Sequence, residues 1–101
     1  GASAIVDYQR GYPVMINSDK ETKIAKEIGF SVTGNETIDA PLVMGAEDFS
    51  FMLNERPGAY ILIGNGNSAP VHNPNYNFDD DIIPTGVAYW TQLTKSRLRT
   101  N

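Results

Sequence analysis

The sequence has no cysteine, and it has one histidine, His72, among its 101 residues. The lack of cysteine excludes a disulfide framework and any thiolate metal site. Neither a cysteine nucleophile nor the GxSxG serine elbow occurs, so the usual nucleophile arrangements find little support. One histidine cannot hold a metal by itself, because a metal site needs three or four ligands. With no sign of an oxidising compartment and no signal peptide, we expect the cytoplasm.

Basic residues and long apolar runs are also scarce. Eight Lys and Arg residues stand against twelve Asp and Glu residues, which gives a net charge of −4 and a pI near 4.7. This charge has the wrong sign for a protein that binds phosphate backbones. The longest strongly apolar run is residues 59–63, far short of the roughly 18–20 residues that a membrane helix needs. We therefore expect no nucleic-acid partner and no membrane.

The composition that remains is typical of a folded protein. Hydrophobic residues make up 41% of the chain and aromatic residues 10%, whereas disordered segments lack the apolar surface that offsets chain entropy. The length suits one domain. The chain starts with Gly1-Ala2-Ser3 rather than Met and enters an alternating pattern almost at once. We therefore expect it to be a piece of a longer protein.

Hydrophobic patterning predicts strands as well as helices. Apolar residues recur at every second position of residues 4–16 except at Arg10, the pattern of a half-buried strand or hairpin. A short strand is expected around residues 42–44. The continuous apolar run 59–63 predicts a central strand that is covered on both faces.

The first predicted helix starts at Ser18. Glu21 follows three residues later, which completes a capping-box pattern. One apolar face continues the helix, and Gly29 is the expected residue just past its end. Two further helices are expected. The second has Glu47 and Asp48 in its first turn and stops at residues 56–58. The third begins at Pro84, and its C-terminal end carries Lys95, Arg97 and Arg99.

The segment between residues 64 and 83 has no periodicity, and His72 lies in its middle. Long loops inside compact domains are usually functional or disordered. Tyr76 and Phe78 favour an ordered loop, and Pro70 and Pro74 stiffen it around His72. Imidazole is the commonest protein ligand for transition metals. His72 is therefore a candidate ligand, with an ordinary surface or structural histidine as the alternative.

The adjacent carboxylates Glu47 and Asp48 allow two interpretations. The plain one is helix capping, since acidic residues suit the start of a helix. The sharper one turns a carboxylate toward a cleft, with the backbone of Gly45 close to a ligand. The nearby run Gly64-Asn65-Gly66 lacks the spacing and the lysine of a phosphate loop, so we interpret it as a turn.

Several short motifs occur in one order along nearly the whole chain. They are VDYQRGYP at 6–13, MGAEDFSFML at 44–53, RPGAY at 56–60, IGNG at 63–66, PVHNP at 70–74 and YNFDD at 76–80. Together they closely resemble the C-terminal part of the hippurate hydrolase and indole-acetyl-amino-acid hydrolase group of metal-dependent amidohydrolases.

The resemblance implies an enzyme that cleaves the amide bond of N-acyl amino acids at a site with two divalent metals. In that group a bridging water attacks the carbonyl, a Glu acts as general base, and the metal polarises the carbonyl. His72 matches the C-terminal metal-ligand histidine of the group. Gly45, Glu47 and Asp48 match the loop that lines the substrate cleft. The zinc, manganese or cobalt ions belong to the full-length protein.

The other residues of that site are absent from this sequence. A Cys and His pair, a Glu, a further His and the general-base Glu have no counterpart here. The resemblance therefore implies that no residue of this segment is catalytic, that the segment alone binds no metal stably, and that it is inactive alone. Its expected partners are an N-acyl amino acid substrate, the missing N-terminal part of the same protein, and further copies in a homo-oligomer. The alternative is a non-catalytic remnant that acts as a binding or assembly module.

The fold class implied is α/β. Residues 1–17 would be the last strand of a smaller satellite domain, used for dimerisation or as a lid. Residues 18–101 would be the C-terminal part of the metal-dependent catalytic domain, with a mixed sheet and flanking helices.

Overall fold

The computed structural model describes residues 1–98, and its regular structure is helical. Helix α1 spans Asp19–Thr33, α2 spans Phe49–Glu55, and α3 spans Ile83–Arg97. A 3₁₀ turn at Asp80–Ile82 leads directly into α3. Across residues 1–98 no β-strand forms. Long irregular segments therefore connect a small number of helices.

The predicted α/β fold, with its mixed sheet and satellite strand, is wrong. Residues 4–16, 42–44 and 59–63 all lack strand structure. A strand exists only through backbone hydrogen bonds to a neighbouring strand, and the backbone of Tyr60 instead bonds to a side chain. Asn17 Nδ2 donates to the Tyr60 carbonyl at 2.9 Å, and the Tyr60 N–H donates to Asn17 Oδ1 at 2.8 Å. Apolar patterning shows that a segment suits a sheet, but it supplies no partner strand.

The predicted start of the first helix is confirmed, but its capping box is not. Ser18 is the N-cap of α1, and its side chain makes no hydrogen bond to the first turn of that helix. Instead, Ser18 Oγ accepts from the Gly58 N–H at 3.2 Å. The Ser18 N–H donates to the Gly58 carbonyl at 2.9 Å. Ser18 therefore ties the start of α1 to the segment that follows α2.

Helix α1 ends five residues later than predicted, because it runs to Thr33 with Gly34 after it, whereas Gly29 was the residue expected just past its end. The true C-cap is Gly34, whose φ of 70° is the left-handed conformation that glycine adopts without cost. Gly29 lies buried inside the helix. A Cβ atom at Gly29 would lie 2.9 Å from Thr37 Cγ2. Gly29 therefore serves the close approach of the chain that folds back after α1.

The predicted helices α2 and α3 both form, but Glu47 and Asp48 precede the first turn of α2 and do not lie in it. Helix α2 has Asp48 as N-cap and stops at Glu55, with Arg56 as C-cap. Pro84 lies in the first turn of α3, where its missing N–H leaves no bond unmade. The last turn of α3 contains basic residues, as predicted: Lys95 and Arg97. Arg99 lies outside the described residues.

Helices α1 and α3 pack against each other, but few residues of the chain are buried. Within residues 1–98 only Ala25, Gly29 and Ser50 are buried. Ile5 and Leu42, for example, are 97% and 104% exposed. The radius of gyration is 18.2 Å, against about 13 Å for a compact domain of this length. Most apolar residues of the predicted strands therefore lie at the surface.

Candidate functional site

His72 lies at the third position of a β-turn formed by residues 70–73. The Asn73 N–H donates to the Pro70 carbonyl at 3.1 Å and closes this turn. The φ angle of His72 is 69°, and it is the only non-glycine residue with positive φ among residues 1–98. Its side chain is exposed. The turn thus presents the imidazole to solvent in a backbone conformation that normally favours glycine.

Two side chains close the base of the loop that carries this turn. Asn65 Nδ2 donates to the Asn77 carbonyl at 2.7 Å, and Asn65 Oδ1 accepts from the Asp79 N–H at 2.8 Å. Ser68 Oγ donates to the Asn77 carbonyl at 3.0 Å and accepts from the Asn77 N–H at 3.1 Å. These four bonds join residues that are 9 to 14 positions apart. The loop is ordered by side chains in place of a backbone ladder.

An open polar cleft of about 490 Å³ lies at the base of this loop. Its lining is mainly amides and carboxylates: Asn65, Asn67, Ser68, Ala69, Asn75, Asn77, Phe78, Asp79 and Asp80. His72 does not line it. The cleft therefore marks the closed base of the loop and not the surroundings of the imidazole.

Glu47 forms a second polar cluster with Tyr60. The Phe49 N–H donates to Glu47 Oε1 at 3.1 Å, and this bond is the main reason that the pKa of Glu47 is lowered. The proximity of the Tyr60 hydroxyl to the Glu47 carboxylate lowers the pKa of Glu47 further and raises the pKa of Tyr60. The rings of Phe49 and Tyr60 pack with centroids 5.5 Å apart. Glu47 is therefore held ionised at neutral pH.

Asp48 and Gly45 are placed less firmly than Glu47. Asp48 is exposed, and its carbonyl accepts from the Phe51 N–H at 3.0 Å at the start of α2. Its side chain makes no capping hydrogen bond. Gly45 is exposed, and a Cβ atom at this position would meet nothing within 4 Å. The space beside Gly45 is open to solvent.

The structure does not gather the predicted residues into one metal centre. Among the residues described, no group of three or more His, Cys, Asp or Glu side chains could hold a metal ion. Glu47 and Asp48 are neighbours in one loop, whereas His72 belongs to a different loop. The chain thus offers one exposed imidazole and, separately, one fixed carboxylate.

Four residues that organise these two loops are not among the residues predicted from the sequence. They are Asn17, Tyr60, Asn65 and Ser68. The pattern around Tyr60 predicts a strand, and the run that contains Asn65 predicts a turn. The turn itself is supported, because Gly66 has a φ of 67°. No local pattern signals the remaining contacts, since the partners lie 9 to 43 residues apart.

An apolar groove of about 360 Å³ lies between α1, α3 and the start of the 59–63 segment. Its apolar lining includes Ile24, Ala25, Ile61, Trp90 and Leu93. The groove contains none of the predicted site residues. No helix within residues 1–98 is long and apolar enough to cross a membrane.

The model of Peptidase family M20/M25/M40 matches residues 3–96. The hippurate hydrolase of Campylobacter jejuni is 29% identical over 90 residues, which cover 86% of this chain and 23% of that protein. The N-acetyldiaminopimelate deacetylase of Streptococcus suis is 36% identical over 66 residues, or 65% of this chain and 18% of that protein. An IAA-amino acid hydrolase of Arabidopsis thaliana is 31% identical over 93 residues, which cover 86% of this chain and 21% of that protein.

The chain therefore spans about a fifth to a quarter of the length of these curated relatives. No solved structure matches it significantly.

Proposed function

The chain belongs to the peptidase family M20/M25/M40, and on that premise we propose that it is part of a hydrolase that cleaves the amide bond of N-acyl amino acids. The observation that carries the proposal is the family match over residues 3–96. The names of the relatives share one chemistry. Hippurate, N-acetyldiaminopimelate and IAA-amino acid conjugates all join a carboxylic acid to the amino group of an amino acid. The proposed substrate class is therefore an acyl amino acid with that amide.

We propose His72 as one metal ligand of this hydrolase. Enzymes of the family are generally metal-dependent, and an exposed imidazole in a closed turn can offer a ring nitrogen. A catalytic metal has about three protein ligands, and the described residues do not assemble such a set. They therefore do not fit a complete metal centre, and we derive no reaction step through the metal.

The other ligands would come from the N-terminal part of a family-length protein, which is the partner we propose for this chain. Zinc, manganese and cobalt are the candidate ions. In this proposal the boundary between the smaller domain and the catalytic domain lies between residues 17 and 18.

We propose that the loop of Gly45, Glu47 and Asp48 lines the substrate cleft. The Phe49 N–H orients the Glu47 carboxylate, and the pKa of Glu47 is lowered mainly by that bond and further by the Tyr60 hydroxyl. A general base works best with a pKa near the operating pH, so the lowered pKa of Glu47 makes it a poor base. Its carboxylate is better suited to accept hydrogen bonds from donors on the substrate. We assign it binding and orientation, not proton transfer.

A second candidate function, a non-catalytic binding or assembly module, is favoured by one observation. Large apolar side chains of residues 4–16 are exposed, among them Ile5 and Val6 at 97% and 87%. Apolar surface of this extent is typical of association with another polypeptide. Homo-oligomer formation is the simplest such association. Light scattering on the 101-residue chain tests it, and a monodisperse monomer would contradict it.

An exchange experiment tests the hydrolase proposal. The segment of the C. jejuni hippurate hydrolase that this chain matches is replaced by residues 3–96, and glycine release from hippurate is measured. We expect hydrolysis by the chimera and loss of hydrolysis to background in its His72→Ala variant. Asn54→Ala, an exposed change in α2, is the matched control and should leave the rate unchanged.

The 101-residue chain alone should hydrolyse no more hippurate than its own His72→Ala variant. A folded chimera without activity, or a fully active His72→Ala chimera, would contradict the proposal.

A further inference from the structure

We propose that Asn65 is a positioning residue, which holds His72 in its left-handed backbone conformation by closing the base of the loop. Ser68 acts with Asn65 in the same closure. The significance of this for catalysis rests on the proposed role of His72, whereas the positioning itself does not.

The need for such a residue arises from the backbone of His72. A left-handed conformation is unfavourable for any residue with a Cβ atom. Strained conformations persist only where the surrounding structure over-determines them. His72 has a φ of 69° and is exposed, so no packing around its side chain can hold it. The restraint must come from the backbone of the loop.

Asn65 supplies that restraint by binding the backbone of residues 77–79, where the loop ends. Its amide donates to the Asn77 carbonyl and accepts from the Asp79 N–H, so that one side chain fixes the backbone on either side of Phe78. Ser68 Oγ bonds to the N–H and to the carbonyl of Asn77. The N–H and the carbonyl of Asn77 are thus both bonded by side chains of residues 65–68, the first arm of the loop. Residues 77–79 form its second arm.

The closed base leaves only residues 69–76 to connect the two arms. Two consecutive turns share that stretch. The Asn73 N–H donates to Pro70, and the Tyr76 N–H donates to the Asn73 carbonyl at 2.9 Å. Asn73 Oδ1 also accepts from the Asn75 N–H at 2.9 Å. A short span with fixed ends and two prolines has few conformations, and the observed one places His72 in the left-handed region.

Amide hydrogen exchange in the 101-residue chain tests this inference, because the Asn73 N–H reports the turn hydrogen bond directly. Exchange rates are measured by NMR for the wild-type chain, Asn65→Ala, His72→Gly and the double variant. Asn67→Ala is the matched control, since Asn67 is exposed in the same loop and its side chain makes no hydrogen bond within residues 1–98.

We expect Asn65→Ala to speed exchange at Asn73 about tenfold, because two net hydrogen bonds are lost, while amides in the middle of α1 keep their rates. Asn67→Ala should change Asn73 less than twofold. Glycine needs no restraint at position 72, so protection of Asn73 in the double variant should return to within about twofold of that in His72→Gly.

The rescue by glycine separates positioning from a merely structural role. If Asn65 only stabilised the fold, Asn65→Ala would speed exchange in α1 as much as at Asn73, and glycine at position 72 would restore nothing. Either result overturns the proposal, as does an unprotected Asn73 in the wild-type chain. No metal and no substrate is present in this experiment. Its failure therefore leaves the ligand role of His72 standing, and an inactive chimera leaves the positioning role standing.

Discussion

The substitution His72→Gly should stabilise the chain. The φ of 69° at this position lies in the left-handed region, which costs a residue with a Cβ atom roughly 1–2 kcal/mol. Glycine removes that cost, but it also gives the unfolded chain more conformational freedom. That freedom cancels roughly 0.4–1 kcal/mol of the stabilisation. The free energy of unfolding should therefore rise by about 0.5–1 kcal/mol. Because the exposed side chain of His72 has little packing to lose, no other large effect is expected.

Urea unfolding followed by circular dichroism at the helical band measures this change. His72→Ala is the first control, since alanine keeps the Cβ atom and should give no gain. Val71→Gly is the second. Val71 has no positive φ and is 65% exposed, so glycine there should destabilise by about 0.5–1 kcal/mol. Equal stability of His72→Gly and His72→Ala, or a gain from Val71→Gly, would refute the account of strain at His72.

Four further predictions concern the remaining contacts. Tyr60→Phe should raise the pKa of Glu47 but leave it below its ordinary value of 4.5, because the backbone bond from Phe49 is the main cause of the shift. NMR titration of the Glu47 carboxyl measures this, and an unchanged pKa would contradict it. Since that pKa is lowered on folding, the stability Glu47 contributes should be present above pH 4.5 and be lost as the pH falls through the lower folded-state value. Replacing a glycine inside a helix by alanine usually raises the free energy of unfolding by about 1 kcal/mol. Gly29→Ala should not raise it, because the new Cβ would lie 2.9 Å from Thr37 Cγ2. Urea unfolding should show the increase only when Thr37 is also replaced by Ser. Asn17→Ala should cost about 1–3 kcal/mol in the same assay by removing both bonds to the Tyr60 backbone, and a cost below 0.5 kcal/mol would contradict that role.

The helices could be predicted because their signals are local. Ser18 precedes the apolar face of α1, residues 56–58 stop α2, and Pro84 suits only the first turn of α3. The prediction that α1 ends before Gly29 was wrong. A glycine that lets another part of the chain pack closely against a helix looks the same in sequence as a glycine that caps a helix. Only the position of Thr37 distinguishes the two.

The sheet was predicted wrongly because periodicity carries no information about partners. The run 59–63 is as apolar as a central strand, yet the backbone of Tyr60 bonds to the side chain of Asn17. An asparagine side chain offers the same donor and acceptor as a peptide group. It can therefore occupy the place of a neighbouring strand at one residue without starting a ladder.

Much of the candidate site was visible in the sequence, but its organisation was not. The prolines around His72 and the absence of periodicity placed it in a loop, and the loop is where it lies. Its left-handed backbone had no sequence signal, since glycine is the usual marker of that conformation. The bonds of Asn65 and Ser68 span 9 to 14 residues, beyond the reach of turn and capping patterns. Ligand and cleft roles for His72, Gly45, Glu47 and Asp48 stay predictions.

Metal affinity of the chimeric hydrolase tests the central claim, that His72 supplies a ligand to the metal site. The binding of zinc, manganese and cobalt is measured by competition with a chelator for the chimera and for its His72→Gly and Val71→Gly variants. Glycine at position 72 removes the imidazole while suiting the turn, so a misfolded loop cannot explain a loss. We predict that His72→Gly weakens binding of the metal at least tenfold and that Val71→Gly does not. Unchanged metal affinity in the His72→Gly chimera would contradict the claim.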